Sequence, residues 1–125
     1  MGPVKYLLDS VIVIDHFNGI PEAGAFLAGH GEDIAVSVIT RAEVLSGLDG
    51  GPRRTAAMLL DRYPTVAIDK NTADLAADLR REMRWKLPDA FQAAMARIHG
   101  LKLVTRNTRD FPPQRHNFVM VPYRI

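Results

Sequence analysis

The chain has 125 residues, of which 47% are hydrophobic and 24% are charged, and this composition is typical of one folded domain and excludes a disordered chain. It contains no cysteine, which excludes a disulfide framework, thiolate zinc sites and a cysteine nucleophile. The 16 Lys and Arg residues exceed the 14 Asp and Glu residues and give a net charge of +2, which is only a weak indication of an anionic partner.

Short apolar segments alternate with segments of helical spacing along the chain. The pattern predicts strands over residues 5–9, 33–38, 65–68, 101–105 and 118–121. Helices are predicted between them, over residues 11–17, 21–28, 39–48, 53–62, 71–85 and 89–99. Strands that alternate with helices form mostly parallel sheets that are covered on both faces. We therefore predict one domain over residues 1–125, with an α/β fold of three layers (α/β/α) around a central sheet of about five strands.

The sequence shows no membrane or export signal. No apolar run is long enough to cross a membrane, and the N-terminus lacks the charged region, apolar core and cleavage pattern of a signal peptide. We therefore expect a cytoplasmic protein without a membrane partner.

Several polar residues lie where predicted strands end or the following helices begin. Asp9 ends the first strand, Glu43 lies one turn into the helix after the second, and Asp89 opens the last helix. Asn107 and Asp110 follow the strand LKLVT. In open parallel sheets ligands bind beyond the carboxyl ends of the strands. The sequence therefore predicts that these side chains gather at one edge of the sheet.

Each acid alone has a structural explanation, since aspartates commonly cap helices and a helical glutamate commonly faces solvent. Four carboxylates at one edge would repel one another and raise their pKa values unless a cation were present. Oxygen ligands without imidazole or thiolate favour Mg²⁺ or Mn²⁺ over zinc, and the four histidines show no metal-ligand spacing. The acids therefore indicate a magnesium or manganese site.

Basic residues cluster near the predicted loops and helix ends. The clusters are Arg53 with Arg54, then Arg80, Arg81 and Arg84 with Lys86, and finally Arg106 with Arg109. They are either solvated helix faces or a rim that follows phosphates. A divalent ion beside such a rim suits a nuclease, because the ion acidifies a water and stabilises the departing oxygen.

Other phosphate chemistries need motifs that this chain lacks. It has neither a G-x-x-x-x-G-K-[ST] loop nor a G-x-G-x-x-G loop. A phosphatase of the haloacid dehalogenase type would carry a second acid two residues after Asp9, where this chain has Val11.

Three segments together carry a resemblance to a known family. They are YLLDSVIVIDHFNG near the start, AVSVITRAEVLSG in the middle and KLPDAFQAAMARIHGLKLVTRNTRDF near the end. Through them the chain resembles the PIN-domain ribonucleases, and specifically the VapC toxins of toxin-antitoxin pairs, along nearly its whole length. The last segment is the most specific, because it combines an acid, an alanine-rich helix and a TRN-x-x-DF loop in one order.

The resemblance implies a role for each matching acid. Asp9, Glu43 and Asp89 match the family's first three acids, and Asp110 matches one of two positions for the fourth, with Asn107 at the other. It implies that these residues hold Mg²⁺ or Mn²⁺ and that Asp9, Glu43, Asp89 and Asp110 are catalytic. We expect supporting hydroxyls and RNA-binding side chains around them: Ser10, Ser37 and Thr105 for the hydroxyls, and Arg84, Lys86, Arg106 and Arg109 for RNA.

The resemblance also implies an activity and partners. The expected activity is hydrolysis of single-stranded or loop RNA by a metal-activated water, which leaves a 3′-hydroxyl and a 5′-phosphate. The expected partners are a second copy of the chain, in a homodimer, and a VapB antitoxin. Two alternatives are an RNA-processing PIN nuclease without an antitoxin and a PIN-fold module that binds RNA or a partner with little catalysis.

Val11 and Asp15 lie close to Asp9 in the sequence and are not among the expected metal ligands. The family often has Asp-Thr-Asn at the end of the first strand, whereas this chain has Asp9, Ser10 and Val11, so an amide that would position substrate or water is missing. Asp15, on the first predicted helix, is expected to be an exposed or capping acid.

Overall fold

The computed structural model describes residues 3–125, and within them five short strands pair in one sheet. In chain order the strands are β1 (Tyr6–Leu8), β2 (Ile34–Ser37), β3 (Thr65–Val66), β4 (Lys102–Val104) and β5 (Val119–Met120). Their order across the sheet is β3-β2-β1-β4-β5, and every neighbouring pair is parallel. The predicted parallel sheet is therefore confirmed. The predicted domain also included residues 1 and 2, which lie outside the described range.

Six helices and one 3₁₀ turn, Gly31–Asp33, connect the strands in this range. The helices are α1 (Ser10–Phe17), α2 (Pro21–His30), α3 (Val38–Ser46), α4 (Gly50–Leu60), α5 (Lys70–Met83) and α6 (Leu87–His99). Helix α5 ends two residues before its predicted end, because Arg84 adopts a left-handed backbone conformation with φ of 58°. None of the helices in residues 3–125 combines the length and apolarity that crossing a membrane requires.

Alternate residues of the strands face opposite layers of helices, as the period of two in a β-strand requires. Leu7 and Leu103 pack in one apolar cluster with residues of α5 and α6. Leu8 and Val104 pack in the other cluster with residues of α1, α2, α3 and α4. The sheet is therefore the middle of three layers, as the sequence predicted.

Strand β1 lies at the centre of the sheet, between β2 and β4. The chain first winds outward from β1 to β3 and then returns to place β4 on the other side of β1. At their carboxyl ends the two strands are joined by a hydrogen bond from the Asp9 amide to the Val104 carbonyl, at 2.9 Å. The reversal of winding therefore falls next to Asp9, where open α/β sheets bind ligands.

Candidate metal and nucleic-acid site

An open cleft of about 340 Å³ lies beyond the carboxyl ends of the central strands. Its walls carry all five predicted metal ligands together with a lysine, a hydroxyl and two apolar residues: Asp9, Ser10, Val11, Glu43, Lys86, Pro88, Asp89, Asn107 and Asp110. The acids come from the end of β1, from α3, from α6 and from the loop after β4. The fold therefore brings together in one cleft side chains that are distant in sequence.

Asp9 is buried, with 7% of its surface exposed, and all hydrogen-bond partners of its carboxylate are donors. The Ser10 amide donates to Oδ1 at 2.9 Å, and Gln92 Nε2 donates to the same oxygen at 3.4 Å. The Thr105 hydroxyl accepts a hydrogen bond from the backbone N–H of Asn107 and donates its own proton to Asp9 Oδ2, at 2.7 Å. Burial raises the pKa of Asp9, and these donors oppose the rise by favouring the carboxylate.

A buried polar network lies behind Asp9. Gln92 Nε2 donates to Thr40 Oγ1 at 2.7 Å, and Ser37 Oγ donates to Gln92 Oε1 at 2.6 Å. The Thr40 hydroxyl in turn donates to the Leu8 carbonyl, at 3.0 Å. Because these residues belong to β1, α3 and α6 or to the strand end before α3, the network fixes the elements that carry the first three acids.

The sequence interpretation missed two members of this network. Gln92 and Thr40 are 1% and 0% exposed, and neither was expected to support the site. The sequence did offer one indication of Gln92: it is a polar residue three positions after Asp89, on the same face of the helix, and apolar residues flank it. Ser37, an expected supporting hydroxyl, caps α3 and contacts Gln92, whereas Thr105 contacts Asp9 directly.

Burial, and after it the neighbouring carboxylates, raise the pKa values of Asp89 and Glu43. Burial raises the pKa of Asp89 to about 6, and the charges of Asp9, Asp110 and Glu43 add to the rise, whereas Lys86 opposes it. Burial also raises the pKa of Glu43, with a further contribution from Asp9. The cleft therefore carries more negative charge than its one lining cation balances, as a cation site requires.

Asn107 and Asp110 contact each other across the turn after β4. The Asn107 amide nitrogen donates to Asp110 Oδ2 at 2.9 Å, and the Asp110 backbone N–H donates to Asn107 Oδ1 at 3.3 Å. Both residues line the cleft. The two positions that the sequence left open for the fourth ligand are therefore adjacent, and both face the other acids.

The donor set suits a hard divalent cation. Asp9, Glu43, Asp89 and Asp110 supply carboxylate oxygens, and no histidine lines the cleft in the described chain, which fits Mg²⁺ or Mn²⁺. Among residues 3–125, no three acid or imidazole side chains already form a metal-ligating group. Binding would therefore need side-chain rotation, for instance of Asp110 away from Asn107.

Asp15 does not occupy the exposed or capping position that was expected, and that expectation was wrong. It is 5% exposed and receives both Nε and an Nη of Arg106, at 2.6 and 2.8 Å, together with the Tyr123 hydroxyl at 2.9 Å. The Arg106 guanidinium lowers the pKa of Asp15. The partner lies 91 residues away, so local sequence gave no sign of the pair.

The same contact separates Arg106 from the other expected RNA-binding residues. Its guanidinium is occupied by Asp15, whereas Arg84, Lys86 and Arg109 are exposed. Within residues 3–125 the two ion pairs are Arg41 with Asp61 and Arg106 with Asp15. Arg84, Lys86 and Arg109 thus have no acid partner in the described structure.

Residues 6–113 match the PIN domain family. A protein named Ribonuclease VapC10, from Mycobacterium tuberculosis, is 31% identical over 113 residues, which cover 85% of this chain and 85% of that protein. A chain of a toxin-antitoxin complex from Klebsiella pneumoniae superposes with a TM-score of 0.88 at 36% identity, covering 97% of this chain and 100% of that one.

A more distant similarity shows the fold alone. The structure of FitAcB from Neisseria gonorrhoeae superposes with a TM-score of 0.79 at 23% identity and covers 96% of this chain and 99% of that one.

Proposed function

Because this chain belongs to the PIN domain family, and to the VapC proteins within it, we propose that it is a metal-dependent endoribonuclease and the toxin of a toxin-antitoxin pair. The observation that carries the proposal is the gathering of Asp9, Glu43, Asp89 and Asp110 around one cleft at the switch point of the sheet. The relatives named as a ribonuclease and as part of a toxin-antitoxin complex support the choice of reaction and partner.

In the proposed reaction the four carboxylates hold Mg²⁺ or Mn²⁺. When bound, the ion supplies positive charge to a phosphate oxygen, acidifies a water and stabilises the departing oxygen. The donors around Asp9 hold its carboxylate in one orientation, and the Gln92 network keeps α3 and α6 in register with it. Lys86 lines the cleft, and its charge supports the proposal that it contacts a phosphate.

The proposed substrate is single-stranded or loop RNA, cleaved to leave a 3′-hydroxyl and a 5′-phosphate. Arg84, Lys86 and Arg109 are proposed to bind its phosphates because they are exposed and lack acid partners in the described structure. Arg106 is left out of that set because its Nε and one Nη donate to Asp15. We also propose that the protein forms a homodimer, that a VapB-type antitoxin binds it, and that it acts in the cytoplasm.

The test is cleavage of a structured RNA by the purified protein. We expect cleavage with Mg²⁺, none after addition of EDTA, and none by Asp89→Asn, which keeps the shape of the carboxyl group but not its charge. Cleavage that survives both EDTA and the substitution would reject the metal-dependent reaction.

One observation favours a second candidate, a PIN-fold module that binds RNA with little catalysis. Val11 lines the cleft at the place where the family often has an asparagine. Retained RNA binding by the wild-type protein, with no cleavage in Mg²⁺ or Mn²⁺, would support that module. A gene for a small DNA-binding partner next to this one would favour the toxin over an RNA-processing nuclease.

A further inference from the structure

Two further cavities neighbour the acid cleft, and each shares lining residues with the next. The first, of about 380 Å³, shares Asp110 with the cleft and is lined by Arg84, Arg109 and Arg115. The second, of about 490 Å³, shares Arg115 and His116 with the first and adds Arg97. We call these two cavities the basic trough. Its lining includes Asp110, which also lines the acid cleft, and Arg84 and Trp85 in the connection between α5 and α6.

The charge of the basic trough is uncompensated. None of its arginines forms an ion pair within residues 3–125. Asp110, at the end shared with the cleft, is the one acid among the described residues that line either cavity. A concavity lined by charges of one sign concentrates counter-ions, so these arginines indicate an anionic ligand.

Trp85 lines both cavities of the trough, and its contacts hold the surrounding wall. Its indole N–H donates to the Asp110 carbonyl at 2.8 Å, and its carbonyl accepts from Arg80 at 3.1 Å. Its ring packs on Phe111 and His116, with ring centroids 5.0 and 5.3 Å apart. The indole thus ties the connection after α5 to the loop that carries Asp110.

Arg84 presents its side chain from a backbone conformation that residues other than glycine rarely adopt, with φ of 58°. It caps α5 through its amide, which donates to the Arg80 carbonyl at 2.9 Å. Such a conformation persists where surrounding contacts enforce it, and it occurs disproportionately at binding sites.

We propose that the basic trough binds the backbone of the RNA strand on one side of the scissile phosphodiester. This inference rests on the proposed function and adds Arg97 and Arg115 to the RNA-binding residues. Arg84 and Arg109 contact the phosphates nearest the cleft, and Arg115 and Arg97 contact those further along. Trp85 is 7% exposed and is not free to stack on a base, so the trough binds phosphates with little sequence preference.

The test compares two charge-matched double variants in the full-length chain, both carrying Asp89→Asn so that RNA is not cleaved. One has Arg97→Gln with Arg115→Gln, in the trough. The other has Arg54→Gln with Arg62→Gln, exposed residues outside it. Affinity for a fluorescent single-stranded RNA is measured by anisotropy over a series of salt concentrations, and thermal melting verifies that each variant is folded.

We expect the trough variant to lose on the order of tenfold in affinity and its salt slope to fall by about 0.7 for each lost phosphate contact. The control variant should bind as the parent does. Equal losses in the two double variants, or no loss in either, would overturn the inference.

Cleavage by the active chain separates this inference from the function on which it rests. In that background we expect the trough substitutions to raise KM and to change kcat little, because they remove binding far from the reacting bond. If wild-type protein cleaves RNA while both double variants keep its KM, the trough inference fails and the proposed function stands. If wild-type protein does not cleave RNA at all, the proposed function fails.

Discussion

Two aspartates of the segment LLDSVIVID, six residues apart, are equally buried and differ in everything around them. Asp9 is 7% exposed and accepts hydrogen bonds from neutral groups alone, and burial raises its pKa. Asp15 is 5% exposed and binds a guanidinium, which lowers its pKa. The chain supplies a cation to Asp15 and pairs none with Asp9, which makes Asp9 the candidate for a cation from solution.

The environment of a buried acid therefore indicates whether it serves the structure or a function. A buried carboxylate with a bidentate arginine is satisfied and serves the structure, here by joining α1 to the loop after β4. A buried carboxylate that faces other acids across a cleft has no positive charge beside it in the protein and is a candidate ligand for a cation.

The largest effect should be on RNA cleavage. Asp9→Asn should lower the cleavage rate by about 100-fold or more, because the amide keeps the shape of the side chain but cannot neutralise a bound divalent ion. Asp15→Asn should stay within about tenfold of wild type, since it alters a support of the loop and not a ligand. Single-turnover rates with excess protein measure both variants. Equal losses would remove the distinction between the two acids.

The same two substitutions should change folding stability in opposite directions. Asp15→Asn should lower the free energy of unfolding by about 2 kcal/mol near neutral pH, because it leaves Arg106 without its partner. Asp9→Asn, measured in EDTA, should leave the stability unchanged or raise it, because the folded state no longer has to bury a charge. Urea denaturation gives both values.

The pH dependence of stability refines this prediction. The pKa of Asp15 in the fold lies below its usual value of 3.8, so its contribution is complete above that pH and is lost as the pH falls through the folded pKa. That acid loss should be smaller in Asp15→Asn. A stabilising Asp15→Asn, or an acid loss of unchanged size, would contradict the structural role of the pair.

The metal affinity of the cleft should depend on the protonation of Asp89. Its pKa of about 6 means that a proton competes with the ion below that value. The Mn²⁺ affinity should therefore fall by up to about tenfold for each pH unit below 6 and should level off above it. Calorimetric titration of metal-free protein measures this, and a flat profile between about pH 5 and 7 would place the ion elsewhere.

The smallest effect should come from the network behind Asp9. Gln92→Met keeps the volume of the side chain but removes its contacts with Ser37, Thr40 and Asp9. We expect about fivefold weaker Mn²⁺ binding, less than the usual loss for a group that supports a ligand, because the contact with Asp9 is long at 3.4 Å. Gln114→Met, at an exposed position, is the matched control. If both variants bind Mn²⁺ as wild type does, the network does not position Asp9.

The sequence predicted the layers and the site for the same physical reason. Alternation of strands and helices requires parallel pairing, and parallel pairing brings the carboxyl ends of β1, β2 and β4 to one edge. Asp9, Glu43 and Asp89 follow or face those ends, so their convergence could be expected without coordinates. Helix ends were located within three residues, and the left-handed Arg84 had no local signal.

The contacts that sequence did not reveal are long-range pairs. Asp15 and Arg106 lie 91 residues apart, and Gln92 and Thr40 lie 52 apart. Each of these residues is ordinary in its own segment, and each obtains its role only when packing brings a partner within reach. A polar residue on a helix face that is otherwise buried, such as Gln92, is the best indication of a long-range polar contact that the sequence provides.

Binding of Mn²⁺ to the full-length protein, detected by electron paramagnetic resonance, tests most directly whether the acids of the cleft form a metal site. Wild-type protein and Asp15→Asn should bind the ion with the same saturable stoichiometry, whereas Asp9→Asn and Asp89→Asn should lose that binding. Undiminished Mn²⁺ binding by Asp9→Asn and Asp89→Asn would contradict the claim that the acids of the cleft, which form no ion pair in the described structure, make up the metal site.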